Sequence, residues 1–166
     1  MRLEYEIFRA KANDLKIASV GGDWDKVALE NGCDEVLSHN IIGQRLFHYV
    51  SGDMTRMWVE AMVNAVLVSG KNRVFPYRCD TPNLRRQFTM SVKVQEARTV
   101  LLQHALVNVE QMQCNMRFKY DPTPKKYVPR CSMCNAVQTA DGWMDPFDLG
   151  QDQEISVIYR ICPECR

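Results

Sequence analysis

The chain has 166 residues, enough for one ordinary domain or a domain with a small appendage. Hydrophobic residues make up 46% and charged residues 25%, which supplies a core and excludes wholesale disorder. With 21 basic and 20 acidic residues the net charge is +1, so no whole-molecule field draws the chain to nucleic acid or to an anionic membrane, and no apolar run reaches the roughly 18 residues of a membrane span.

The opening residues, MRLEYEIFRAKAND, carry Glu4, Glu6 and Asp14 and lack the apolar centre of an export signal, so a cytoplasmic location is expected. Leu3, Ile7 and Ala10 fall at helical spacing and predict an amphipathic helix within 1–14. Residues 16–20, the turn Gly21-Gly22-Asp23 and residues 25–29 read as a short hairpin. The stretch 51–69 is a helix with an apolar stripe of Met54, Met57, Trp58, Ala61, Met62, Ala65 and Val66. Ser51 or Asp53 is placed to cap its start, and Gly70 to end it. Its methionines and Trp58 read as a core face rather than a cofactor box.

After Gly70 the period falls from 3.6 to 2. Residues 73–79 read as a strand kept to an edge or bulge by Pro76. A turn at Asp80-Thr81-Pro82-Asn83 leads to a strand over 85–94, with Phe88, Met90, Val92 and Val94 on one face. A second turn at Glu96-Ala97-Arg98 leads to the longest strand, 99–109. About five strands covered on one face by helices predict an α+β fold with an antiparallel sheet across 15–116. The longest strand is apolar on both sides: Val100, Leu102 and Leu106 face one way, and Leu101, Ala105, Val107 and Val109 the other. A second apolar face asks for a cover. With Leu3, Ile7 and Phe8 on the N-terminal helix, this predicts a homodimer.

Residues 117–130 hold five basic residues, one acid and three prolines, and read as a stiff, extended linker. From 131 to 165 there are six acids against the single base Arg160. This last region, 131–166, carries the strongest chemical signal. Cys131 and Cys134 form one Cys-x-x-Cys pair, and Cys162 and Cys165 form another after a gap of 27 residues. Each pair presents two sulfurs on one side of a tight turn, and four sulfurs together make a tetrahedral site suited to zinc. The same ligands also suit iron or an iron–sulfur cluster, and four free thiols are the bland alternative. Four cysteines close a metal shell, so a structural role is expected over redox sensing or electron transfer. The segment has too little apolar mass to fold alone, and a structural metal contributes about 10–16 kcal/mol to such modules.

The remaining cysteines, Cys33, Cys79 and Cys114, are expected to be buried as small hydrophobes. His39, His48 and His104 have no partner fixed by spacing and read as structural. No nucleophile–base arrangement, phosphate loop or isolated carboxylate pair is visible, so no enzymatic turnover is expected. The basic stretch 117–130 is a nucleic-acid candidate, but the acidic four-cysteine region argues against it.

Several phrases together resemble one family. The order strand, strand, helices, then three strands within about 100 residues is that of a PAS domain. Residues 43–53, reading GQRLFHYVSGD, are similar to the stretch leading into the long PAS helix. The phrase FPYRCDTPNLRR at 75–86 resembles a Phe-Arg-Cys-Asp-Ser-Pro phrase of bacterial PAS-like proteins. Cys131-Ser132-Met133-Cys134, Gly142-Trp143 and Cys162-Pro163-Glu164-Cys165 resemble the zinc-ribbon-like tails attached to some of them. The resemblance covers roughly 15–166. It implies a five-stranded sheet with helices on one side, used to sense a small ligand or to mediate protein contacts, with output supplied by a protein partner. Residues 43–47 carry no cysteine where the flavin photoreceptors of the family have one, so light-driven adduct chemistry is not expected.

Overall fold

The computed structural model describes residues 1–11, 14–96, 98–121 and 127–166. The fold is α+β, with two five-stranded sheets and few helices. The chain forms two compact units. The first comprises Met1–Val50, Trp58–Phe75 and Thr89–Leu106, and the second Ser51–Met57, Pro76–Phe88 and Val107–Arg166.

The N-terminal segment is a strand, β1 (Arg2–Lys11), not the helix expected within 1–14. Leu3 and Ile7 satisfy both periods, but Glu4, Tyr5 and Glu6 between them complete a strict alternation. Pairing on both edges then settles the matter. β1 lies antiparallel to β2 (Asp14–Gly22) on one side and to β5 (Thr99–Gln111) on the other. Ile7, expected in a dimer contact, is instead buried within its own sheet. Phe8 and Ala10 have side chains outside the described residues. The hairpin expected over 16–29 is also corrected: its second arm is helix α1 (Trp24–Glu30). Asp25 lies in the first turn of that helix, Ala28 is buried, and the Trp24 indole donates to the Val36 carbonyl at 2.8 Å. The Asp25 carboxylate accepts from both the backbone N–H and the hydroxyl of Ser38, each at 2.7 Å, tying α1 to the short helix α2 (Ser38–Ile41).

The long helix α3 (Asp53–Ser69) is present, and Gly70 ends it at φ 65. Its buried residues are Met62, Val63 and Val66, while Met57, Ala61 and Ala65 are exposed. The inward stripe is thus rotated toward the valines, which bury more apolar area than alanine. Strand β3 (Arg73–Arg78) carries Pro76 at the edge of the first sheet, followed by β4 (Leu84–Glu96) and β5, in the order β2-β1-β5-β4-β3. Ala97, in the turn between β4 and β5, lies outside the described residues.

In the first unit, Ile7, Leu15, Ile17, Val92, Val100 and Leu102 are buried along one sheet face. The other face bears a polar ladder. Gln103 donates to Glu4 at 3.1 Å and accepts from Lys93 at 2.7 Å, and Ser19 donates to Glu6 at 2.8 Å. Such alternation is what a sheet solvated on one side requires. The apolar outer positions of the longest strand are exposed toward its end, at Ala105 in the first unit and at Val107 and Val109 in the second.

The segment expected as a linker, 117–130, is strand at both of its described ends. β6 (Met116–Tyr120) and β7 (Val128–Cys131) both pair in parallel with β10 (Gln153–Arg160). The second sheet runs β6-β10-β7-β8-β9, with β8 (Val137–Thr139) and β9 (Gly142–Met144) forming a small hairpin. Met116 and Phe118 alternate with Arg117 and Lys119, so the basic residues decorate a strand whose other side meets the core of Cys114, Met116 and Phe147. Pro129 sits inside β7, and β8 meets that strand at Arg130, so its missing N–H costs no pairing with β8. Pro122, Pro124, Lys125 and Lys126 lie outside the described residues.

Candidate metal centre

The four cysteines come together because two strands run the same way. β7 ends at Cys131, and β10 ends one residue before the buried pair Ile161 and Cys162. Their parallel register sets Arg160 opposite Cys131, so each strand delivers its Cys-x-x-Cys turn at the same end of the sheet. The first turn closes through Asn135, whose N–H donates to the Cys131 carbonyl at 3.0 Å and whose φ of 63 reverses the chain. The second is a 3-10 turn at Pro163–Cys165, closed by the Cys165 N–H on the Cys162 carbonyl at 3.1 Å. The Ser132 N–H donates to the Arg160 carbonyl at 2.9 Å and joins the two turns. The 27-residue gap is filled by the β8–β9 hairpin and a 3-10 turn, Pro146–Leu149, capped by the Asp145 side chain.

The thiol sulfurs of Cys131, Cys134, Cys162 and Cys165 all lie within 4.8 Å of one another. Cys134 and Cys162 are 3.7 Å apart. A tetrahedron with sulfur at the usual zinc–thiolate length of about 2.3 Å has an edge of about 3.8 Å, so the spacing fits a four-coordinate metal of that size. Cys131 and Cys162 are buried, and Cys134 and Cys165 half-buried. The Cys162 N–H donates to the Cys131 sulfur at 3.4 Å, the kind of outer contact that fixes a thiolate ligand. A hydrogen bond from Cys134, together with backbone N–H groups, holds the Cys131 thiol down at about 4 against its burial. Cys134 is pushed up, first by sharing a proton with Cys131 and then by burial. Burial, and then Cys162, push Cys165 up to about 12. Cys134 and Cys165 therefore keep their protons near neutrality until a cation supplies compensating charge, and a metal binding here displaces them.

Residues remote in sequence brace the first turn. The Arg78 N–H donates to the Met133 carbonyl at 2.7 Å, and the hydroxyls of Thr55 and Ser132 share a hydrogen bond. The Arg78 guanidinium, 13% exposed, contacts Asp145 and lies 2.6 Å from the Asp80 carboxylate, itself 3% exposed. Burial works against the Arg78 charge, but hydrogen bonds to Asp80 and Asp145 more than offset it and raise its pKa. Arg85 extends the network to Asp145 and to Glu110, both at 3.0 Å. These bracing residues were not singled out as functional from the sequence, although Arg78-Cys79-Asp80 lies within the phrase that carries the resemblance.

The remaining candidates separate. Cys114 is buried as expected, Cys33 is half-buried and Cys79 is exposed, where Arg86 donates to its carbonyl at 2.6 Å. His39 and His48 are exposed. His104 stacks on Tyr5 with ring centroids 5.4 Å apart, and burial lowers its pKa to about 4. Among the described residues, the only group of three or more metal-capable side chains is the four cysteines. No helix of the described residues is long and apolar enough to cross a membrane. No family model, curated protein or solved structure matches this chain.

Proposed function

We propose that this chain is a non-enzymatic PAS-like module for sensing or protein interaction, with a C-terminal unit held together by one structural zinc ion. The observation that carries the reading is the closed set of four sulfurs: every ligand position of a tetrahedral ion is filled by the chain, leaving none for substrate. The first sheet supports the PAS-like part. Two strands, then helices, then three strands follow the order that the resemblance implies. The bracing of the first cysteine turn by Arg78, in the phrase Phe75-Pro76-Tyr77-Arg78-Cys79-Asp80, gives that phrase a structural reason. Output from such a module comes from a protein partner or from a homodimer, for which Val107 and Val109 are the exposed apolar positions in β5. Light scattering is expected to give twice the chain mass, and a monomer at micromolar concentration rejects the dimer.

Elemental analysis of protein purified without added metal tests the reading. One equivalent of zinc in a colourless protein is expected. Visible thiolate-to-iron absorption with iron in place of zinc overturns it in favour of a redox or electron-transfer role. Metal-free protein with four titratable thiols and an intact second sheet rejects a metal centre altogether.

A further inference from the structure

Strand β5 outruns its neighbour β1. The two pair from Thr99 opposite Phe8 to Ala105 opposite Arg2, and the Leu106 N–H then donates to the Met1 carbonyl at 3.2 Å. Residues 107–111 continue β5 beyond that point and belong to the second unit. On one edge they keep β4: Arg85 reaches Glu110 at 3.0 Å, and just past the strand the Met112 N–H donates to the Asn83 carbonyl at 2.9 Å. On the other edge no strand among the described residues pairs with them. All of 107–111 are exposed. A stretch of about five residues is an ordinary strand length, and such an edge offers its backbone N–H and C=O groups to another strand. The segment reads VNVEQ, with neither the lysine nor the proline that guards many natural edges, and its single charge, Glu110, is matched by Arg85.

The segment is complementary to itself. Two copies laid antiparallel with Val109 opposite Val109 set Asn108 opposite Glu110 twice and Val107 opposite Gln111 twice. Glu110 meets Arg85 through Oε2, which leaves Oε1 to accept from the facing Asn108 amide. Val107 and Val109 share one face of the strand, so four valines gather on one side of the pair. A slipped register is worse in both directions. Centring on Glu110 sets two carboxylates opposite each other. Centring on Asn108 asks Ala105 and Leu106 to pair outward, where Arg2 and Met1 already hold them.

We propose that residues 107–111 form the contact of a twofold homodimer, in which the same segment of a second copy takes the line along β5 that β1 vacates. The inference rests on the homodimer named in the functional reading above and fixes where its contact lies. A twofold strand pair uses the same edge on both copies, so the assembly closes at two chains.

The test is light scattering of the full-length chain, without added N-terminal residues, over a range of micromolar concentrations. Twice the chain mass of 19.2 kDa is expected. Val109→Lys sets two ammonium groups opposite each other at the axis and is expected to weaken the dimer on the order of tenfold, with the far-ultraviolet circular dichroism unchanged. Val109→Cys brings two sulfurs together, because facing Cα atoms of an antiparallel pair lie about 4.5–5.5 Å apart, within disulfide reach. Oxidised glutathione is expected to link that variant into a covalent dimer. In Val107→Cys the two sulfurs stand roughly 13 Å apart along the strands, and linkage no greater than in the unaltered chain is expected. A dimer of unchanged affinity in Val109→Lys, or equal linkage of the two cysteine variants, overturns this contact and leaves the homodimer standing. A monomer overturns both. Assemblies that grow past two chains with concentration overturn the closed pairing.

Discussion

Gly52 shows how a single position fixes the local backbone. It sits at φ 83 just before α3, and its carbonyl accepts from the Arg56 N–H at 3.0 Å. A Cβ there would lie 2.8 Å from the Tyr159 Cβ, an atom that moves only with its strand. Gly52→Ala therefore combines backbone strain with overpacking and is expected to cost about 2–3 kcal/mol. Urea unfolding should show a lower midpoint with an unchanged slope. His104 makes a different demand. Its folded pKa of about 4 lies below the ordinary 6.5, so the folded state binds its proton less readily than the unfolded chain. The stability this contributes is fully present above pH 6.5 and is lost as pH falls from 6.5 toward 4, by an amount on the order of 2–3 kcal/mol. The ring it faces, Tyr5, is un-ionised across this window, as any tyrosine is, and burial raises its pKa further. His104→Phe keeps a ring against Tyr5 and should flatten this part of the pH profile. An unchanged slope between pH 6.5 and 4 in the variant would refute that account.

At the scale of elements, the parallel pair β7 and β10 makes the cysteine cluster, and the end of β3 secures it. Arg78 is the shared counter-ion of Asp80 and Asp145, with all three largely withdrawn from water. Replacing it leaves Asp80 without its cation and Asp145 with Arg85 alone, and breaking such a buried pair typically costs about 3–5 kcal/mol. Arg78→Met preserves most of the side-chain volume and is expected to lower stability by about that amount. It should also weaken metal retention, since the same residue's backbone holds Met133 in the first cysteine turn. Competition with a chromophoric chelator reads the second effect. Metal affinity equal to that of the unaltered chain would confine Arg78 to the ion network.

For the molecule as a whole, the two units depend on different forces. The first has its own apolar core, including Ile7, Val63, Val92 and Leu102. In the second, Cys131 and Cys162 are themselves among the buried core residues, so the metal site and the core coincide. Metal removal is therefore expected to act unevenly. After chelation, hydrogen exchange should show lost protection in β7, β8 and β10 while β1 and β2 keep theirs. Uniform protection before and after chelation would mean that the second sheet folds without metal.

The sequence by itself determined the features that rest on local spacing. The 17-residue helix α3, the edge strand bearing Pro76, the β4–β5 meander and the two Cys-x-x-Cys turns follow from period, proline and cysteine placement alone. Tertiary structure decided the rest. Leu3 and Ile7 suit a helix or a strand equally, and only partners on both edges made β1 a strand. Residues 117–130 look like a linker because basic residues and prolines dominate, yet β10 lies far along the chain and turns both ends of that segment into sheet. The cysteine pairs announced themselves, but their meeting did not. It depends on the parallel register of β7 and β10, and on Arg78 and Thr55 bracing one turn from 55 and 77 residues away. Spacing within a turn is written in adjacent residues, whereas register and bracing are set by packing between segments that no local pattern relates.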